Sequence, residues 1–231
     1  MKRILIIITA LVTLALPAIC SAVPPNPGAY VSGFLGVTVP RDTDVTTEQF
    51  IPGTTFNTFN DRVEFDPSIN IGGTGGFDFG FVRLEGELSY KHGEMTSITD
   101  RDTGVRFRNV DGSLGVLAMM FNGFFDLHND TPITPYFGGG IGFAALHLSD
   151  TFGTDTSGTG GQSLLYYEDD DTVFAYQAGA GLEIALNRML SLDVGYRYFG
   201  TSNAHFDSDP FQTTEMKFES HNAAVGLRVK F

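Results

Sequence analysis

The segment His221–Phe231 splits into two chemistries with a period of two. Val225, Leu227, Val229 and Phe231 fall on one side, and Asn222, Gly226, Arg228 and Lys230 on the other. Successive side chains of a strand point to opposite faces. A ribbon written this way touches hydrocarbon with one face and a polar space with the other, which is the pattern of a membrane-spanning β-barrel.

The amino terminus points to export. Lys2 and Arg3 precede an apolar run from Ile4 to Leu16, too short for a comfortable span, and Cys20-Ser21-Ala22 supplies small residues for cleavage after Ala22. Residues 1–22 are therefore expected to be a secretory signal peptide and residues 23–231 a single barrel domain with no module after it. Cys20 is the only cysteine, so the mature chain would hold no disulfide scaffold and no Cys-based metal site. Without Lys2 and Arg3, 12 basic residues face 27 acidic ones, a net charge of −15. Nucleic acid, which demands clustered Lys and Arg, is excluded as a partner.

Eight runs of strand character follow: Ala29–Val39, Ile69–Phe79, Val82–Lys91, Val105–Phe125, Pro135–Leu148, Val173–Leu186, Leu190–Phe199 and Phe218–Phe231. The connections alternate in length. Pro40–Ser68, His92–Gly104, Ser149–Thr172 and Gly200–Lys217 are long; Phe79–Phe81, Leu127–Thr134 and Asn187–Met189 are short. An even strand number with this alternation predicts an all-β, eight-stranded antiparallel up-and-down transmembrane barrel, with short periplasmic turns and four long extracellular loops.

One face of these strands collects Arg83, Lys91, Arg197, Arg228 and Lys230 against Glu85, Glu87, Glu183 and Asp193. In a narrow lumen such charges must pair, because an unpartnered buried charge costs several kcal/mol. Pairing of Arg197 with Glu183 or Asp193, on the same or the adjacent strand, is expected. Glycines at 138, 140, 142, 179, 181, 195 and 226 share that face and would make room for the long side chains. Tyr30, Tyr90, Tyr136, Tyr198 and Phe231 sit at strand ends, where they would form interfacial girdles. Alternation alone leaves the opposite assignment open, a soluble barrel or sandwich with its apolar face inside.

The stretches Tyr30–Gly36, Arg83–Tyr90, Pro135–Gly142, Phe174–Gly181 and Leu192–Gly200, with the closing strand, resemble the outer-membrane β-barrel domain family of opacity-type and small porin-like surface proteins, akin to the outer membrane protein A transmembrane domain. The resemblance covers the whole chain after the leader. It implies residence in the bacterial outer membrane, in contact with lipid and lipopolysaccharide, and it implies that Phe231 is a terminal signal read by the insertion machinery. It does not carry an activity, because function does not follow from fold.

Three groups of residues could carry chemistry. His147 and Ser149 lie two apart and resemble the catalytic pair of lipid A deacylases, with Glu168 as the available acid. Glu168–Asp171 with Asp150 and Asp155 offers oxygens for Ca²⁺, at a spacing that matches no EF-hand. Gly138–Gly140 and Gly72–Gly73 lie within strands and lack the helix and Lys of a phosphate loop. No catalytic residue, metal or cofactor is expected. The long loops, rich in Thr, Asp, Gly and Phe, point to a structural or adhesin-like role with a host or other extracellular ligand. A narrow channel and a lipid A-modifying enzyme are the alternatives.

Overall fold

The computed structural model describes residues 27–49, 57–156, 161–209 and 212–231; the proposed leader, 1–22, lies outside them. Among the described residues fifteen strands follow one another: β1 (Gly28–Pro40), β2 (Thr43–Gln49), β3 (Asn57–Asp66), β4 (Ser68–Asp78), β5 (Val82–Asp100), β6 (Arg106–Asp111), β7 (Ser113–Asp126), β8 (Ile133–Leu148), β9 (Thr151–Asp155), β10 (Gln162–Tyr166), β11 (Asp169–Ala185), β12 (Leu190–Thr201), β13 (Ala204–Asp209), β14 (Gln212–Met216) and β15 (Glu219–Lys230). Eight of them, in the order β1-β4-β5-β7-β8-β11-β12-β15, form an antiparallel ring that closes where Tyr30 pairs with Lys230 and Val39 with His221. Closure gives every backbone N–H and C=O in the wall a partner, which a sheet in lipid requires.

The outer wall is apolar. Val31, Leu35, Ile71, Leu88, Met119, Phe121, Ile141, Phe143, Val194 and Leu227 all point outward and are exposed. Aromatic rings border this band differently at its two ends. Phe77 with Phe79, Phe81 with Phe125 and Phe125 with Phe137 cluster at the periplasmic turns. Tyr90 with His92, and Tyr196 and Tyr198 with His221, lie at the outer end. Tyr30 and Tyr136 do not belong to the girdles. They fall on the inward parity of β1 and β8 and are 2% and 3% exposed.

β5 shows how the chain leaves the membrane. Its 19 residues span about 63 Å at ~3.3 Å each, whereas ~9–11 residues cross the bilayer. Up to Tyr90–Lys91 the strand is polar inward (Arg83, Glu85, Glu87, Ser89) and apolar outward (Leu84, Leu88, Tyr90). Beyond that point Met95 and Ile98 are buried and Glu94 and Thr96 exposed. The pattern has become that of a water-soluble sheet. A register shift between Glu64 and Phe65 in the β3 pairing marks a bulge in this upper segment.

The segment expected to be the loop His92–Gly104 is therefore mostly strand. The expected fourth strand, Val105–Phe125, is two elements: β6, and a barrel strand starting only at Ser113. The other three long connections also fold. Their strands join the top of β5 in one continuous sheet ordered β13-β14-β2-β3-β5-β6-β9-β10. Val45, Val63, Met95, Ile98, Tyr166, Phe206 and Met216 form its buried core, with Phe65, Phe107, Val110 and Leu165 packed against it. At the far end of this outer layer, the His205 amide donates to the Asp171 carboxylate at 2.8 Å and ties β13 to β11.

Candidate functional site

The nine charged residues singled out in the sequence all point into the lumen. On the periplasmic side, Glu183 is the hub. It accepts from Arg228, from Lys230 at 2.8 Å and from Arg83 at 3.4 Å. Arg228 also reaches Asp193 at 2.8 Å, and Lys230 reaches Asp78 at 3.3 Å. Arg83 lies 3.5 Å from Asp126 and stacks on the Tyr136 ring, 4.6 Å from its centroid.

One layer higher, Arg197 pairs with Glu87, and with Glu85 at 3.3 Å. Its partners are thus neither Glu183 nor Asp193. Those two carboxylates are direct cross-strand neighbours and are occupied by Arg228, while the guanidinium of Arg197 extends across the barrel. Tyr30 donates to Glu85 at 2.6 Å and Tyr136 to Asp193 at 2.7 Å. Asn122 and Gln177 supply further amide donors to Glu87 at 3.1 and 2.9 Å. Lys91 makes no ion pair among the described residues. It donates to Ser89 at 2.9 Å and lies 4.2 Å from the centre of the Phe199 ring.

Asp78, Asp126, Tyr30, Tyr136 and Asn122 are thus members of the network that the sequence reading did not assign to it, and Gln177 joins them. All share the inward parity of their strands, which is the signal that could have found them. The inward glycines are tightly enclosed: a Cβ at Gly179 would meet the Tyr196 carbonyl at 2.4 Å and Arg197 Cγ at 2.9 Å.

Above Arg197 the lumen changes character. Val116, Ala118, Met120, Ala144, Leu146, Val173, Ala175, Phe199 and Phe218 fill it at the height where Leu117, Met119 and Phe143 face outward. The polar space left below this plug is a cavity of about 30 Å³ between Ser32, Asn70, Glu87, Lys91, Arg197 and Asn222, room for about one water molecule.

The other candidates are taken apart. The His147 imidazole meets Asp170 at 2.7 Å and Glu168 at 3.9 Å, but the Ser149 hydroxyl accepts the Ser113 amide at 2.8 Å. Histidine and serine therefore hold separate partners. The acidic run does not converge either: the Asp150 carboxylate accepts the Glu168 amide, Asp169 that of Asp170 and Asp171 that of Thr172. Among the described residues no group of three His, Cys, Asp or Glu is placed to hold a metal ion. Phe231 is 71% exposed on the outer wall, and its amide donates to the Ala29 carbonyl at 2.9 Å.

The outward apolar band, the closed ring and the charged interior define an integral β-barrel of the bacterial outer membrane. The chain belongs to the outer membrane protein beta-barrel domain family, whose model matches residues 8–231. Over 130 residues it is 28% identical to the outer membrane protein PagN of Salmonella typhimurium strain LT2, a match covering 53% of each chain. The matched stretch thus spans about half the length of that curated relative. In fold it is similar to the outer membrane protein OprG from Pseudomonas aeruginosa, with a TM-score of 0.56 at 13% identity over 88% of this chain and 96% of that one. Neisserial surface protein A gives a TM-score of 0.46 at 15% identity over 90% and 100%.

Proposed function

We propose that this protein is a non-catalytic surface-interaction barrel that engages an extracellular ligand through its folded outer layer. The observation that carries this reading is the extension of the hydrophobic core beyond the lumen, to Val45, Val63, Met95, Ile98, Tyr166, Phe206 and Met216, which packs four connections into one folded layer above the membrane rim. A packed layer restricts the backbone that carries its outward side chains, which lowers the ordering cost of binding.

Charge supports the same reading. Segments 41–67, 92–112, 149–171 and 200–219 carry 20 of the chain's 27 carboxylates against six of its 14 Lys and Arg. This outer region is therefore net −14, whereas the lumen charges nearly balance. A field of that sign steers cationic partners inward and repels polyanions.

The filled lumen weighs against a channel, since conduction needs a continuous polar path. The separation of His147 from Ser149 weighs against lipid A hydrolysis. The test is adhesion: cells displaying the intact protein are compared with cells displaying a variant in which each outer connection is replaced by a short turn. Loss of binding to host-cell or matrix surfaces on trimming is expected. Equal adhesion by both strains would overturn the reading.

A further inference from the structure

The outer layer holds a second, half-open space away from the lumen. A half-open pocket of about 300 Å³ lies between β2, β3, β5, β6, β10 and β14, lined by Phe59, Asp61, Asp100, Phe107, Leu165 and Tyr166 with the polar Thr47, Gln49 and Gln212. Asp61 and Asp100 are direct cross-strand partners in the β3–β5 ladder. Like charges placed opposite each other in a sheet destabilise it, and a cation from the same chain would ordinarily neutralise them.

Here the nearby cations turn elsewhere. Arg62 pairs with Asp42 at 2.7 Å, Arg101 with Asp44, and Arg106 with Glu64 at 2.8 Å. Asp61 makes no ion pair among the described residues. It accepts one hydrogen bond, from the buried Tyr166 hydroxyl at 2.8 Å. Burial raises its pKa, and the nearby carboxylates of Asp100 and Asp102 add to that rise. Asp100 is held ionised by the hydroxyl and amide of Thr103 and the amide of Asp102. The pocket thus presents two carboxylates with no cation of this chain among the described residues, Asp61 half-buried and Asp100 held by its own turn, beside aromatic and aliphatic walls and the side chains of Thr47, Gln49 and Gln212.

We propose that this pocket binds an alkylammonium group, as carried by a lysine side chain or a free polyamine, with the ammonium on Asp61 and Asp100 and the methylene stem against Phe59, Phe107 and Leu165. Three features select this chemistry. The ammonium supplies the counter-charge that the facing carboxylates lack. Aromatic faces attract a cation and shelter its hydrocarbon stem. A bare Ca²⁺ would need six to eight oxygens, whereas the Asp100 carboxylate already accepts three hydrogen bonds, the Thr47 hydroxyl is shared with Thr214, Gln49 and Gln212 add one side-chain carbonyl each, and Leu165 and the Phe rings offer none. The inference rests on the reading of the outer layer as a ligand-binding surface and gives that surface its ligand class.

The test is a titration of the refolded full barrel in micelles, followed by backbone-amide NMR. The probes are Nα-acetyl-lysine N-methylamide, its uncharged norleucine analogue, spermidine and CaCl₂. Saturable shifts at Asp61, Asp100, Phe107 and Tyr166 are expected with an ammonium probe and none with the norleucine analogue. Preference for the lysine derivative identifies a protein-borne ligand, and preference for spermidine a free polyamine.

Asp61→Asn should weaken binding at least tenfold while leaving the barrel folded, since it relieves the like-charge pair. Phe59→Ala, at the half-open mouth, should weaken it severalfold. Saturation by Ca²⁺ alone, equal binding of the norleucine analogue, or no saturable shift with either ammonium would overturn the proposal. None of these outcomes bears on the adhesion comparison, which judges the surface role separately.

Discussion

Arg197 on β12 and Glu87 on β5 stand on opposite sides of the eight-stranded ring, four strands apart in either direction, and are joined by an ion pair through the middle of the lumen. The barrel is thereby cross-braced by side chains as well as by its closed ladder. Removing one partner strands the other in a low-dielectric interior, which costs about 3–5 kcal/mol, whereas neutralising both is nearly free.

Arg197→Met is therefore expected to destabilise the barrel by about that amount. Adding Glu87→Gln should restore much of the loss. Asp193→Asn should restore little, because that carboxylate is bonded to Arg228. A double-mutant cycle from urea unfolding in detergent measures the coupling; additive effects for Arg197 and Glu87 would contradict the bracing.

That partner was beyond the sequence for a physical reason. Alternation reports which side of a strand a residue occupies, and adjacency suggests partners one strand away. The pairing across the lumen depends on barrel width and stagger, which no local pattern encodes. Tyr30 shows a related limit: its ring suits an interface, yet its parity with Ser32 and Phe34 places it inside, where Glu85 takes its hydroxyl. The start of β7 is not marked by alternation because its outer half is apolar on both faces, Leu117 and Met119 toward lipid and Val116 and Ala118 toward the plug. The outer strands escape the same pattern because the code inverts after Lys91, so a template of polar inside and apolar outside stops matching where the chain enters water. The ring itself was legible, since eight runs and their connection lengths require only period-two alternation.

The apolar plug should matter for stability and leave conductance unchanged. Phe199 is fully buried against Phe218, with ring centres 6.3 Å apart. Phe199→Ala should cost about 3–5 kcal/mol through lost burial and the cavity left behind. The charged layers beneath still fill the lumen, so planar-bilayer recordings of this variant and of the parent protein should show no steady open-channel current. A stable conductance step in the parent protein would refute the sealed interior.

Phe231 makes one backbone bond to β1 and leaves its ring on the outer wall. Its side chain therefore adds little to the folded barrel. Phe231→Ala should reduce the amount reaching the outer membrane at native expression far more than it shifts the urea midpoint of the purified, refolded protein. Both forms should resist SDS at room temperature and change mobility on boiling. Normal assembly of the variant would remove the role of Phe231 as an insertion signal.

The facing carboxylates of Asp61 and Asp100 make a pH prediction whose sign follows from their opposite shifts. Burial raises the pKa of Asp61 above its ordinary value. Such a group favours the folded outer layer while protonated and disfavours it once ionised, so its contribution is lost as pH rises through the folded pKa. Asp100, lowered by the Thr103 hydroxyl, acts in reverse: it supports the fold above its unfolded pKa and loses that support as pH falls through the folded one. Asp61→Asn removes only the first effect. The variant should therefore protect the amides of β3 and upper β5 from hydrogen exchange better than the parent protein at neutral pH. The advantage should shrink as the pH is lowered and Asp61 itself becomes protonated. Hydrogen exchange on the refolded proteins, without added ammonium, measures this directly. A variant less protected than the parent at neutral pH would mean that Asp61 is stabilised by a partner in the free protein, and that the pair is not strained.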